Sequence, residues 1–410
     1  MEPSDAQRPL EGLKVLDLGR MFAAPYAGQV LGDLGAEVIK VEQPSGDEMR
    51  HYGPIYLKSE KGEELLESTY SLACNRNKRS VVLDLTQAEG RAAALRLAAW
   101  ADVILENFKV GDLARYGLDY EAVRKINPGV VYCSVTAFGQ DGPYARQAGV
   151  DTLLQAMSGM MTVTGEPDGP PQRIGFIVVD LATGLFAAVA VLAALRERDR
   201  NGGAGQRIDL SLFDTAFALL SHRALEWLVG GIEPKRRGSN SSGNIPGRNL
   251  TTAEGVLTLQ AGSQSQFRKL CDALGLPHLP DDPRFATARS RAANENELMA
   301  ILEPEFLKRS AAEWYDHLRA VGVFAGPLNT VSQAFADPQV RHRGISQALS
   351  HPAAGRVSLV ANPIRFSRSA VGPNRAPPLL GADTAQVLAD LGFDQRQIRA
   401  AQGLEDAECV

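Results

Sequence analysis

Cysteine is scarce in this chain of 410 residues, and the four present, Cys74, Cys133, Cys271 and Cys409, fall in no paired spacing. That excludes a disulfide framework or a zinc knuckle and fits a reducing, cytoplasmic setting. The six histidines form no pairs at helical spacing, so no metal is expected. A basic excess is also missing: the net charge is −5, against a general nucleic-acid binder. The first residues, Met1 to Pro9, have no apolar core for a secretory signal. The longest apolar stretch, Leu181 to Leu195, reads as too short to span a bilayer and is interrupted by Thr183 and Gly184. Neither a Walker A motif nor a dinucleotide fingerprint occurs; the segment Gly19 to Pro25 carries one glycine where such a turn needs two or three. ATP and NAD therefore lose support, and a serine nucleophile elbow is missing around Ser134 and Ser158.

What is present is ordinary globular composition, 44% hydrophobic and 22% charged, at a length that calls for two domains. From Leu13 the pattern alternates as in a Rossmann-like parallel α/β sheet. Strands are expected at 13–18, 36–42, 80–85, 102–108 and 129–135, with helices at 25–34, 87–101 and near 111–127. A short strand at 175–179 and a long alanine-rich helix from Leu181 follow, then a second long helix from about Leu210 to Val229. The Gly-, Ser-, Asn- and Pro-rich stretch 234–249 reads as a linker and mobile loop. After it a smaller α+β unit is expected, with a hairpin at 251–261 and helices near 264–274, 293–308 and 311–321. The domain reading is therefore 1–225 large, 226–330 small, and 331–410 returning to the large domain.

Asp180 is the leading candidate for chemistry. At the opening of the long helix, a carboxylate faces free N–H groups and the positive end of the helix dipole, where developing negative charge is best held. Asp is also a preferred N-cap, so position alone leaves a structural role open.

Taken in order, several segments carry a resemblance. They are Gly35 to Glu42, Asn75 to Ser80, Leu83 to Thr86, Glu106 to Phe108, Phe138 to Pro143, Val179 to Gly184 and Pro378 to Gly381. Together they resemble the class III CoA-transferases, with the α-methylacyl-CoA racemases as cousins. The resemblance implies that Asp180 is a nucleophile attacking an acyl-CoA thioester, passing through a mixed anhydride and an aspartyl-CoA thioester. It implies no tightly bound cofactor, with CoA or acyl-CoA as substrate. By the same resemblance Gln43, Leu83, Asp84, Leu85, Thr86, Asn107, Phe108, Lys109, Arg115, Ala148, Gly149, Val150 and Asp151 are the CoA-binding positions. Gln43 stands where relatives often have arginine, with Lys40 or Arg50 as possible substitutes. The segment Ser242 to Arg248 matches a glycine loop over the active site, as a lid or an ordinary linker. Asp151 either orients Asp180 or bound CoA, or is an exposed loop carboxylate.

In the racemase branch a proton-transferring histidine precedes this aspartate, and here the position is Val150, which favours transfer over racemisation. The runs around Tyr132, Asp180 and Ala325 are most similar to the succinate–hydroxymethylglutarate branch, implying succinyl-CoA as donor and a dicarboxylic acid as acceptor. Arg20, Arg50, Arg173 and Arg248 are candidates for holding the second carboxylate. The resemblance further implies an interlocked dimer, of two copies or of this chain with a related subunit. A racemase and a noncatalytic CoA-binding subunit remain the alternatives.

Overall fold

The computed structural model describes residues 7–241 and 243–404. Two compact units divide the chain. The first comprises residues 1–158, 175–221 and 338–410, and the second comprises 159–174 and 222–337. Residues 159–174, read from sequence as part of the large domain, thus group with the second unit.

The first unit is built on a six-stranded, all-parallel sheet. Across the sheet the strands lie in the order Lys78–Val82, Glu37–Glu42, Lys14–Asp17, Val103–Glu106, Val131–Thr136 and Arg207–Ser211. Counted along the chain, this order is third, second, first, fourth, fifth, sixth. It is the doubly wound arrangement, whose strand order reverses between Lys14–Asp17 and Val103–Glu106 and leaves a crevice at their carboxyl ends. The central strands are apolar on both faces because helices cover both sides: Val15, Leu16, Ile104, Leu105, Val131 and Cys133 are wholly buried.

Several expected elements are corrected. No strand forms at 175–179; helix runs from Val178 to Arg198, so Asp180 is its third residue and not its N-cap. The β-branched run Ile177-Val178-Val179 looks like strand, but packing and an external cap for its N–H groups override that propensity. At 21 residues the helix is long and apolar enough to cross a membrane by length and composition, against the sequence reading. One side of it is buried, however: Thr183, Gly184, Ala187, Ala188 and Val191 pack inward, and its principal neighbour is helix Ala23–Asp33. Gly184 makes that approach possible, since a Cβ there would stand 2.7 Å from the Ala23 carbonyl oxygen.

The long helix expected from Leu210 is instead the edge strand Arg207–Ser211 followed by helices Leu212–Leu220 and His222–Leu228. They break at Ser221, whose φ of 49° no continuing helix tolerates. The expected helix near 111–127 is likewise split, into a 3₁₀ turn Asp112–Tyr116 and helix Tyr120–Ile126, around Gly117 at φ 68°. Helix Asp151–Met157 and the hairpins Tyr56–Lys58 with Glu64–Ser68 and Ser346–His351 with Gly355–Val360 were not anticipated.

The second unit holds a three-stranded antiparallel sheet: Gly247–Thr251, Val256–Gln260 and Phe324–Pro327. The hairpin therefore starts four residues earlier than expected, and Gly247 and Arg248 are paired strand residues rather than loop. Helices Gln264–Leu274, Glu295–Phe306 and Ala311–Ala320 enclose a core that includes Phe267, Phe285, Leu302, Phe306 and Trp314. The expected helix 293–308 is preceded by a separate turn of helix, Ala288–Ala293.

Candidate active site

Asp151 and Asp180 meet in the first unit. One carboxylate oxygen of Asp151 accepts the backbone N–H of Val179 at 2.8 Å and that of Asp180 at 3.2 Å, while the other accepts from Gln155 Nε2 at 2.6 Å. Asp151 is 3% exposed, which excludes the loop-carboxylate reading. The helix Val178–Arg198 has no side-chain cap of its own; Asp151 caps it from another element. The Asp180 carboxyl is raised to about 7, first by burial and then by the negative charge of Asp151. An aspartate at the top of a helix is thereby poised to change charge near neutral pH.

The wall beside it is apolar. Phe22, Met49 and Cys74 form a small buried cluster against which Met21, Tyr26 and Ile177 pack. Burial pushes the Cys74 thiol up, and the Asp180 carboxylate adds to that shift, so the thiol stays neutral.

At the switch-point crevice, the loop after strand Lys14–Asp17 is fixed atom by atom. Gly19 N–H donates to Asp17 Oδ1 at 2.8 Å, Arg20 N–H to Asn107 Oδ1 at 2.8 Å, and Met21 N–H to Asp47 Oδ1 at 3.1 Å. Asn107 Nδ2 donates back to the Arg20 carbonyl at 2.6 Å, and the Arg20 guanidinium stacks over the Phe108 ring at 4.2 Å. A cation over an aromatic face at the carboxyl edge of such a sheet is suited to a phosphate-bearing, nucleotide-tailed ligand.

Most of the expected CoA-binding positions gather along this carboxyl edge of the sheet. Gln43 follows strand Glu37–Glu42 and is exposed, its amide donating to Gly46 O at 3.1 Å. Leu83 to Thr86 follow strand Lys78–Val82, and Asn107, Phe108 and the exposed Lys109 follow Val103–Glu106. Arg115 lies in the adjoining 3₁₀ turn with its guanidinium over Tyr116 at 4.7 Å. Asp84 is committed to Thr86, accepting its N–H at 2.9 Å and its hydroxyl at 2.6 Å. Leu83 is corrected: at 1% exposure its side chain belongs to the core and cannot touch a ligand. Ala148 and Val150 are exposed, and Gly149 is required by packing, since a Cβ would come within 2.8 Å of the Ala137 Cβ.

The cationic substitutes are corrected as well. Lys40 is fully buried, bonded to Gly19 O at 2.7 Å and Asp47 Oδ2 at 3.0 Å. Arg50 is 1% exposed and paired with Glu42 and Glu67, both at 2.7 Å. Neither can reach a ligand; both brace the loop instead. Breaking such a buried pair costs about 3–5 kcal/mol. Arg50 is thereby withdrawn as a carboxylate-binding candidate, and Arg248 faces Glu303 at 3.7 Å. Asp47 is the residue that sequence reading missed. No spacing signals it, because its role exists only through the Met21 N–H from one segment and Lys40 and Glu42 from the strand Glu37–Glu42. Among the described residues no cluster of three or more His, Cys, Asp or Glu could hold a metal ion. The lid reading of 242–248 falls partly on Ser242, outside the described residues, while Asn244 is bonded to Gln260.

A doubly wound sheet, whose switch point is where such folds bind nucleotide-tailed ligands, together with a buried aspartate of raised proton affinity in the first turn of a helix, defines an enzyme architecture for nucleotide-tailed substrates. The model of CoA-transferase family III matches residues 10–384, and the chain belongs to that family as a class III CoA-transferase. It is 44% identical over 389 residues to a protein of Agrobacterium fabrum named succinate–glutarate CoA-transferase, covering 95% of this chain and 97% of the relative. It is 40% identical over 396 residues to the mouse succinyl-CoA:glutarate CoA-transferase, covering 96% and 89%. A crystal structure of a CaiB/BaiF family protein from Brucella suis superposes with a TM-score of 0.84 at 43% identity, over 94% of this chain and all of that one.

Proposed function

We propose that this enzyme moves CoA from succinyl-CoA to a small dicarboxylic acid of the glutarate type, with Asp180 as nucleophile. The observation that carries the reading is the Asp151–Asp180 pair. Burial and like charge raise the Asp180 carboxylate's basicity, and nucleophilicity rises with it. The names of the two relatives support the donor and acceptor.

In the proposed sequence an Asp180 oxygen attacks the thioester carbonyl of succinyl-CoA, the C–S bond breaks and CoA thiolate departs, leaving an aspartyl–succinyl anhydride. The thiolate then attacks the aspartyl carbonyl, succinate leaves as its carboxylate, and aspartyl-CoA thioester remains. The acceptor carboxylate attacks that thioester, and the released thiolate takes the acceptor's acyl group from the new anhydride, regenerating Asp180. Each oxyanion forms beside the N-terminal turn of Val178–Arg198, where the helix dipole favours negative charge. The nucleotide end of CoA is assigned to the crevice edge bearing Arg20, Asn107, Phe108, Lys109 and Arg115.

The enzyme is further proposed to act as an interlocked homodimer. Supporting this, Leu153, Leu185, Phe186, Val189 and Phe217 are exposed on three mutually contacting helices, an apolar area unusual for a monomer's surface. Light scattering that shows monomers on dilution would contradict it.

The decisive test is incubation with succinyl-CoA and a panel of mono- and dicarboxylic acids, read by mass spectrometry of CoA esters. Glutaryl-CoA, or another dicarboxylic monothioester, formed with stoichiometric succinate is the expected result. Unchanged turnover in Asp180→Ala would sink the nucleophile assignment.

A further inference from the structure

Met21 stands in the left-handed region at φ 59°, a conformation disfavoured for a residue with a Cβ and kept only where the surrounding structure over-determines it. The groups that hold it are side chains from other segments. Asn107 binds both the N–H and the carbonyl of Arg20, Lys40 Nζ donates to the Gly19 carbonyl at 2.7 Å, and Asp47 Oδ1 accepts the Met21 N–H at 3.1 Å.

That same Asp47 oxygen also accepts the Met49 N–H at 3.1 Å, capping the 3₁₀ turn Glu48–His51. One atom therefore ties together two residues of the apolar wall beside Asp180. Met49 belongs to the buried cluster with Phe22 and Cys74, and Met21 packs against that cluster together with Ile177. Ile177 is the residue from which the helix of Asp180 starts, and the Asp180 carboxylate is close enough to Cys74 to push its thiol up. Asp47 is 2% exposed, and its second oxygen accepts from Lys40 at 3.0 Å. Its charge belongs to a buried set in which the acids Asp17, Glu42, Asp47 and Glu67 face the cations Lys40, Arg50 and Lys78. A buried carboxylate oxygen spent on two backbone N–H groups, one of them in a strained loop, fixes geometry that the local sequence would not adopt unaided.

We propose that Asp47 is a positioning residue for the transfer reaction: by holding Met21 and Met49 on one carboxylate oxygen, it keeps the apolar wall in place beside Asp180 and excludes water from the acyl intermediates formed there. The inference rests on the reading of Asp180 as nucleophile. Both the aspartyl–succinyl anhydride and the aspartyl-CoA thioester are open to hydrolysis. Attack of a water oxygen on the aspartyl carbonyl of the thioester breaks the C–S bond. One of the water's protons then goes to the departing CoA thiolate and the other to solvent, leaving the Asp180 carboxylate. The net result is succinate and free CoA in place of transfer, the side reaction that a water-excluding wall prevents.

The test measures, on the full-length enzyme with succinyl-CoA and isotopically labelled succinate, the ratio of free CoA thiol released to label exchanged into succinyl-CoA. Succinate serves as its own acceptor, so the identity of the native acceptor does not enter. Lys40→Met/Asp47→Leu removes both buried charges together with the acceptor oxygen, whereas Lys40→Met/Asp47→Asn removes the charges and keeps an acceptor for Met21 and Met49. Neither strands a buried ion of this pair. The ratio is expected to rise about tenfold in the first double variant and to stay near the native value in the second. Met21→Gly leaves the ion pairs intact and suits the left-handed backbone, so its fold is retained, and loss of the wall side chain is expected to raise the ratio there too. An unchanged ratio in Met21→Gly, or equal ratios in the two double variants, would overturn the proposal. Exchange that persists in Asp180→Ala would overturn the nucleophile reading and this proposal with it, whereas exchange lost in that variant with an unchanged ratio in the others overturns this proposal alone.

Discussion

The Asp151 carboxylate accepts the backbone N–H of Asp180, so one aspartate holds the main chain of the other while raising the proton affinity of its side chain. The two effects separate on mutation. Asn at position 151 keeps an acceptor oxygen for the helix N-terminus but removes the charge. The acid limb of kcat/KM is therefore expected to move to lower pH in Asp151→Asn, with stability reduced by about 1 kcal/mol from the weakened cap. A pH profile unchanged from the native enzyme would show that Asp151 acts on structure alone.

The native enzyme should itself show that acid limb. If Asp180 must be ionised to attack, kcat/KM for succinyl-CoA rises with pH and levels off above an inflection at about 7. A flat profile between pH 5 and 8 would exclude Asp180 ionisation from the free-enzyme step.

Asp180 also sets a stability cost. Its folded-state value, raised to about 7, lies above the 3.8 of a free aspartate, so the folded chain binds more protons than the unfolded one between those values. The protonated carboxyl is accommodated fully below the lower value, and stability is lost as pH rises through about 7. Asp180→Asn is thus expected to raise Tm by a few degrees at pH 8, with the gain vanishing near pH 4. The same variant loses transfer activity by about a thousandfold or more. A Tm unchanged at pH 8 would mean the carboxylate is better solvated than its burial implies.

Gly184, one turn beyond Asp180, tests the helix contact that positions the site. Gly184→Ala brings a methyl to 2.7 Å from the Ala23 carbonyl, and the helices must part. A loss of about 1–3 kcal/mol in denaturant unfolding is expected, with kcat falling as Asp180 shifts. Native stability in this variant would show that the helices yield freely.

Phe108 is the check on the crevice. Removing its ring in Phe108→Ala takes away the platform under Arg20, and KM for acyl-CoA should rise about tenfold with kcat nearly unchanged. An equal fall in kcat at unchanged KM would place the acyl group, rather than the nucleotide, at this edge.

Much of the first unit was legible along the chain because a parallel sheet covered on both faces imposes continuous apolar strands, and 13–18, 36–42 and 102–108 show them plainly. Asp180 was legible as a candidate for the same local reason, an acid at the start of an alanine-rich helix. The strand Arg207–Ser211 was not, since its alternating charged residues, Arg207 and Asp209, suit an edge and look polar in isolation. The bilayer argument over the helix failed on length, and only its packed face shows how its apolar residues are used.

Sequence by itself determined the alternation of elements, the chemical identity of the nucleophile candidate and the lack of nucleotide-fold glycine motifs, because these follow from local patterns of residue type. Tertiary structure alone decided that Asp180 lies within its helix rather than ahead of it, that Asp151 is its cap, and that Lys40 and Arg50 brace a loop instead of meeting a ligand. Each of those outcomes depends on burial and on partners distant in the chain. Charge state and availability are properties of an environment, and the environment exists only once the chain has folded.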